Sequence, residues 1–192
     1  RRPPRSTPKP SSAASDVYKR QPLEQGAMRM FAHTPEISKG LTAFAGSLKQ
    51  NRSLPDRLVE LVRLRVAFHN QCRSCMAIRY KDGQEDGITE DLVCSLEKPM
   101  EAENLSDAEK AAIHYGELFA TNHLAINDEV YDNLRKYFSE SEIVELSMTV
   151  AFFVGFGRLA ASYHMVEELP ESFQVNEEET LTPWGNDSIV VR

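Results

Sequence analysis

Two cysteines three residues apart, Cys72 and Cys75, sit in the run ELVRLRVAFHNQCRSCMAIR, Glu60 to Arg79, in which Glu60 is the only carboxylate. On a helix, residues i and i+3 lie about 5–6 Å apart, a separation that a disulfide bridges with little strain. The pair can therefore cycle between dithiol and disulfide. Asn70 is a favoured N-cap residue, so the spacing predicts a helix from Asn70 to about Lys81 with Cys72 in its first turn. The positive end of a helix lowers a thiol pKa, and the thiolate is the nucleophile.

The element that must position Glu60 is the preceding helix. Ser53, Pro55 and Asp56 open it, and Leu58, Val59, Leu61, Val62, Leu64, Val66, Ala67 and Phe68 surround it, the pattern of a central buried helix. Two roles for Glu60 follow: an ion pair with Arg57 or Arg63 at i−3 or i+3, or a desolvated carboxylate with a raised pKa that takes a proton from a thiol. Cys75 and Arg79 are i and i+4, so on one helix they share a face. Arg79 would then either pair with Asp82 or Glu85 or steady a thiolate.

The other helices read in order. Thr34-Pro35-Glu36 starts one that carries Ile37, Leu41, Phe44, Ala45 and Leu48. Thr89 caps a short one with Leu92, Val93, Cys94 and Leu96, where a lone Cys94 is expected as a small core residue. Ser106–Glu109 and Ser139–Glu142 are Ser-x-x-Glu capping boxes, and Asn127 opens a helix between them. The last helix contains Ala151, Gly155 and Ser162, a small-residue seam that suits close approach of another helix, from a neighbouring subunit or from the same chain. His114 and His123 fall in no metal-binding pattern, so no metal or cofactor is expected.

Ser53-Leu54-Pro55 with Arg57, Glu60-Leu61-Val62, Leu64-Arg65-Val66-Ala67 and Asn70 before Cys72-x-x-Cys75 together resemble the signature of the carboxymuconolactone decarboxylase and AhpD-like alkylhydroperoxidase superfamily. His33-Thr34-Pro35-Glu36 upstream, and Leu105 to Lys110 and Ile143 to Ala160 downstream, extend the similarity to about Met30–Leu169. The resemblance implies an all-α, AhpD-like helical bundle of about six to eight helices that assembles as trimers or hexamers. It also implies a peroxidase in which the residues at Cys72, Cys75 and Glu60 act. The family's histidine four residues after the second cysteine is Arg79 here, and the intervening position that can be histidine is Ser74. A guanidinium does not give up its proton in a protein. Arg79 can thus hold a thiolate but cannot relay protons, and His69, three residues before Cys72, is the candidate replacement.

Length and composition suit one helical domain. The net charge is −7, but the first 21 residues carry six Lys/Arg and one Asp; the remainder therefore carries −12, which argues against nucleic acid or anionic membrane as partners. Three cysteines do not make a disulfide framework. No apolar h-region opens the chain, so no secretory signal is expected. The longest apolar run, Met148–Phe156, is far shorter than the roughly 20 residues of a membrane helix, and the expected compartment is the reducing cytoplasm. Residues 1–21, rich in Pro, Ser and basic residues, read as a disordered or non-native extension, with SAASDVYKRQ resembling an assembly scar and a targeting arm as the rival. Residues 22–169 form the helical domain and 170–192 a tail, whose Trp184 and Ile189-Val190-Val191 could anchor to a partner subunit.

The expected activity is a thiol oxidoreductase that reduces a small hydroperoxide through a Cys72–Cys75 disulfide, regenerated by an external dithiol protein. A cofactor-free lyase acting on a carboxylated lactone is the first alternative. A non-enzymatic helical oligomer that senses redox state is the second.

Overall fold

Leu58, Leu61, Val62, Leu64 and Val66 are all almost completely buried, which demands neighbours on every side of the helix that carries them. The computed structural model, which describes residues 22–164, 166, 169–174, 180–185 and 190–192, supplies them. The expectations for residues 1–21 and for Ile189 lie outside the described residues. The helices are α1 (Pro22–Phe31), α2 (Pro35–Gln50), α3 (Asp56–His69), α4 (Arg73–Ala77), α5 (Lys81–Glu85), α6 (Glu90–Cys94), α7 (Asp107–Thr121), α8 (Asp128–Leu134) and α9 (Glu140–Ser162). The chain is one all-α domain in which α3 packs between α7 and α9. Its core runs from Leu58 and Leu61 through Ile113 and Tyr115 to Leu146 and Val150.

Four helix starts follow the sequence reading. Ser106 and Ser139 make complete capping boxes with Glu109 and Glu142, while Thr89 and Asn127 accept from the backbone N–H of Leu92 and Val130. Thr34 forms no side-chain cap; α2 begins with Pro35 alone. α9 is long and apolar enough to cross a membrane by length and composition. Here Ile143, Leu146, Val150 and Val154 bury one side of it in the core, while Val144 and Met148 are exposed.

The largest departure from expectation is the segment after Asn70. No helix runs from Asn70 to Lys81. Asn70 is the C-cap of α3, Gln71 takes a left-handed conformation (φ 49°), and α4 holds five residues before the chain extends into a two-residue strand, β1 (Ile78–Arg79). That strand pairs in parallel with β2 (Val190–Val191), flanked by Lys81 N–H to the Arg192 carbonyl at 2.8 Å and Arg192 N–H to the Arg79 carbonyl at 2.9 Å. The split helix and the added α1 bring the described helices to nine.

The tail turns back on its own chain. Leu169 and Phe173 are buried with Ala67, Met76 and Ala77, and Leu181 packs beside them. The Gln71 side chain donates to the Leu181 carbonyl at 3.2 Å and accepts from its N–H at 3.0 Å. Trp184 stacks on Phe68 with ring centroids 4.9 Å apart. Trp184 and Val190–Val191, expected against a partner subunit, are thus engaged within the chain. Cys94 is also placed otherwise than expected. It is exposed, because Leu92, Val93 and Leu96 face the core and Cys94 does not.

Candidate active site

Because α3 ends at His69 and the left-handed Gln71 redirects the chain, Cys72 becomes the N-cap of α4 rather than a residue of its first turn. Cys72 and Cys75 form a disulfide with Cα atoms 5.2 Å apart. The Cys75 N–H donates to Cys72 Sγ at 3.3 Å, and Ser74 Oγ lies 3.6 Å from the same sulfur. The two cysteines differ in access: Cys72 is fully buried and Cys75 only partly.

Glu60 lies on α3, 3% exposed, and Arg63 one turn on is 5% exposed. Arg63 grips it with Nε to Oε2 at 2.6 Å and Nη2 to Oε1 at 2.7 Å, and the Tyr80 N–H donates to Oε1 at 3.1 Å. Of the two roles read for Glu60, the ion pair is the one formed, with Arg63 and in the interior. Arg57 instead pairs with Glu109. Gly83 is needed beside it, since a Cβ there would stand 3.0 Å from Glu60 Cβ and Cγ. Arg63 also donates to the carbonyls of Cys75 (2.6 Å) and Ile78 (2.7 Å), and its guanidinium lies 4.8 Å from the Tyr80 ring centroid. Burial alone would lower the Arg63 pKa; the charge of Glu60 and its hydrogen bonds outweigh that and hold it above its ordinary value.

Two hollows lie side by side here. The inner one, about 160 Å³, is lined by Cys75, Ser74, Asn70 and Phe156; the outer one, about 200 Å³, by Glu60, Arg52, Leu48 and Val59. Arg63, Tyr80, Phe152 and Phe153 line both, so Cys75 and Glu60 border adjoining hollows that share these four side chains as walls. The inner wall depends on a close approach: Asn70 Nδ2 donates to the Phe153 carbonyl at 3.0 Å, and a Cβ on Gly157 would stand 2.4 Å from that nitrogen. Gly155, the expected seam glycine, has nothing within 4 Å of a built Cβ, so no described residue of this chain packs tightly on it.

Arg79 does not face the hollows. It is fully buried on β1, and its five N–H groups go to Glu90 (3.0 Å twice), the carbonyls of Met76 (2.8 Å) and Ile78 (3.2 Å), and the Pro183 carbonyl (2.6 Å). Loss of the helix over 78–79 removed the shared face with Cys75, so Arg79 ties the tail to β1 and the thiolate role falls. Neither expected surface partner, Asp82 or Glu85, is used. His69 points to Glu117 on α7 (3.4 Å), lines neither hollow and offers no relay. The cation at Cys75 is Arg63, visible in the sequence only as a neighbour of Glu60. Tyr80 and the Phe152-Phe153-Phe156 wall carried no sequence signal beyond apolar spacing.

Residues 35–118 match the carboxymuconolactone decarboxylase family. Two uncharacterized Mycobacterium tuberculosis proteins, Rv2313c and MT2376, are each 30% identical over 121 residues, 62% of this chain and 42% of theirs. The uncharacterized Bacillus subtilis protein YdfG is 28% identical over 92 residues, 47% of this chain and 63% of its own. The chain thus spans less than half the length of the mycobacterial relatives. Among solved structures, a protein of unknown function from Agrobacterium tumefaciens, assigned provisionally to the antioxidant defence protein AhpD, superposes with a TM-score of 0.64 at 20% identity, covering 73% of this chain and 97% of that one. A peroxidase-related protein from Ralstonia eutropha with an alkylhydroperoxidase AhpD core gives 0.63 at 18%, covering 88% and 93%. These likenesses share the all-α fold, and residues 35–118 carry the match to the carboxymuconolactone decarboxylase family.

Proposed function

We propose that the protein is a CxxC-dependent thiol oxidoreductase that reduces organic hydroperoxides. The observation that carries the reading is a Cys72–Cys75 pair in which only Cys75 opens on an apolar hollow, beside the buried Arg63–Glu60 ion pair. Cys75 is the attacking residue, because a nucleophile needs access and Cys72 has none. The Arg63 guanidinium, hydrogen-bonded to the Cys75 carbonyl, favours the thiolate by its charge. The thiolate attacks the terminal peroxide oxygen and the O–O bond breaks. Cys75 becomes a sulfenic acid, and the alkoxide leaves as an alcohol after taking the proton that the thiol gave up. The Cys72 thiol then attacks the Cys75 sulfur, expelling water and forming the disulfide. The two electrons that reduce the peroxide come from the two thiols, and an external dithiol restores them by exchange at the more accessible Cys75. Glu60 serves as a positioning residue, holding Arg63 and the Tyr80 backbone.

One turnover tests this. Prereduced protein treated with cumene hydroperoxide should lose two thiols per chain. Cys75→Ser should lose neither, and Cys72→Ser should stop at a dimedone-reactive sulfenic acid on Cys75. Full peroxide turnover in both variants would eliminate the scheme.

No histidine lines either hollow among the described residues, which favours, as a second reading, a dithiol–disulfide sensor without peroxide chemistry. Formation of the disulfide by oxidised dithiols but by no hydroperoxide would select it. A homo-oligomer is part of the proposal. α2 buries none of its residues, Ile37 is 74% exposed, and the Gly155 side of α9 is open. Light scattering on the purified chain checks it.

A further inference from the structure

The outer hollow is lined by a cation with one unsatisfied donor. Arg52, at the start of the α2–α3 connection, is one of its lining residues. Its Nη1 pairs with Asp56, but its Nε is buried and has no hydrogen-bond partner. Among the described residues only Ser172 Oγ shares that condition. The other two lining cations are engaged: Lys49 with Asp82 at 2.5 Å, and Arg63 with Glu60. A buried donor without a partner is costly, more so on a charged group; Nε has no accessible surface in this conformation, so a ligand oxygen in the hollow removes that cost once the Arg52 side chain turns to meet it. Asp56 balances the charge only in part. Its side chain is 40% exposed against 18% for Arg52, so water screens the carboxylate more than the guanidinium, and an anion gains more there than a neutral acceptor.

Between Arg52 and Cys75 one side of the wall is apolar, and Arg63 and Tyr80 make the other. Leu48 and Val59 line the outer hollow, Phe156 lines the inner one, and Phe152 and Phe153 line both. Phe152 stacks on Phe156 with centroids 4.9 Å apart. We infer that Arg52 is the substrate-selecting residue of these adjoining hollows. The substrate is an organic hydroperoxide with its O–O group at Cys75, an apolar or aromatic body along Phe152 and Phe153, and a carboxylate at its far end hydrogen-bonded to Arg52 Nε. The inference rests on the peroxidase reading for the reacting end alone; the carboxylate end stands on Arg52.

The probes are 4-isopropylbenzoate and its methyl ester, titrated by calorimetry into the disulfide form, where no chemistry occurs. The acid is expected to bind at least about tenfold tighter than the ester, the scale of one charge-assisted hydrogen bond. Arg52→Met should abolish the difference. In wild-type protein the Arg52 Nε–H resonance, assigned by its loss in Arg52→Lys, should shift on adding the acid and not the ester; this decides the matter if Arg52→Met fails to fold. Equal affinity for acid and ester, or an unmoved Nε–H resonance, overturns the inference. In parallel, the carboxylated analogue of cumene hydroperoxide should oxidise the dithiol at least about tenfold faster than its methyl ester. If no hydroperoxide oxidises the dithiol while the acid preference persists, the peroxidase reading fails and Arg52 stands as a carboxylate-binding residue. If both hydroperoxides react at one rate and acid and ester bind alike, the peroxidase reading stands and the role of Arg52 falls.

Discussion

Arg63 donates to the carbonyl of Cys75 at 2.6 Å while the same guanidinium holds both oxygens of Glu60. A residue one turn after the acid therefore joins the central helix to the redox turn, and anything that frees the guanidinium disturbs the cysteines.

Glu60→Gln leaves Arg63 charged and uncompensated in the interior. Removing one partner of a buried pair costs about 3–5 kcal/mol, which for a chain of this size lowers the thermal midpoint by about 6 °C or more. The double variant Glu60→Leu with Arg63→Met should be less destabilised than Glu60→Gln, because no lone charge remains. Scanning calorimetry of both gives the comparison.

Glycine positions 157 and 155 should respond oppositely to alanine. At Gly157 the new methyl would meet Asn70 Nδ2 at 2.4 Å, so Gly157→Ala should lose about 1–3 kcal/mol through overpacking. Gly155→Ala has open space and gains helix propensity, so the chain itself should be stabilised by about 0.5–1 kcal/mol. Urea midpoints report both signs.

Thiol counting separates the three cysteines. With the disulfide intact, one equivalent of a thiol reagent should react fast, at the exposed Cys94. After reduction, Cys75 should react next and the fully buried Cys72 slowest. Equal fast labelling of all three, read by peptide mass mapping, would contradict the burial order.

Acid should weaken the fold partly through Glu117. Burial would raise its carboxyl, but hydrogen bonds and charge from His69 and Arg65 prevail and hold it below the ordinary 4.5. A depressed carboxylate stabilises fully above its unfolded value and loses that contribution as pH falls through the folded one. Stability should therefore decline with falling pH below about 4.5, and Glu117→Gln should flatten that decline. Unfolding free energies from pH 6 to 3 measure the slope.

Local chemistry was legible along the chain. Ser106 and Ser139 cap because Ser-x-x-Glu needs only four consecutive residues, and α3 is central because its apolar residues go round the whole helix. The cysteine pair was legible for the same reason, since three residues of spacing set its reach. Arg79 was misread because periodicity from Asn70 onward suggested one helix, whereas pairing of Ile78–Arg79 with Val190–Val191, more than 100 residues away, extends the backbone there. Cys94 was misplaced because its neighbours in sequence are apolar, yet the side it presents is not theirs.

The sequence by itself determined most of the longer helices, four of their caps and the two sulfurs, because those depend on contacts within a few residues. Only the tertiary structure decided which sulfur is reachable, which cation stands beside it and where the tail goes. Those outcomes depend on burial and on partners from distant segments: Arg63 reaches the Cys75 carbonyl, and Arg79 turns to Glu90 and Pro183, once α3, β1 and the tail have packed.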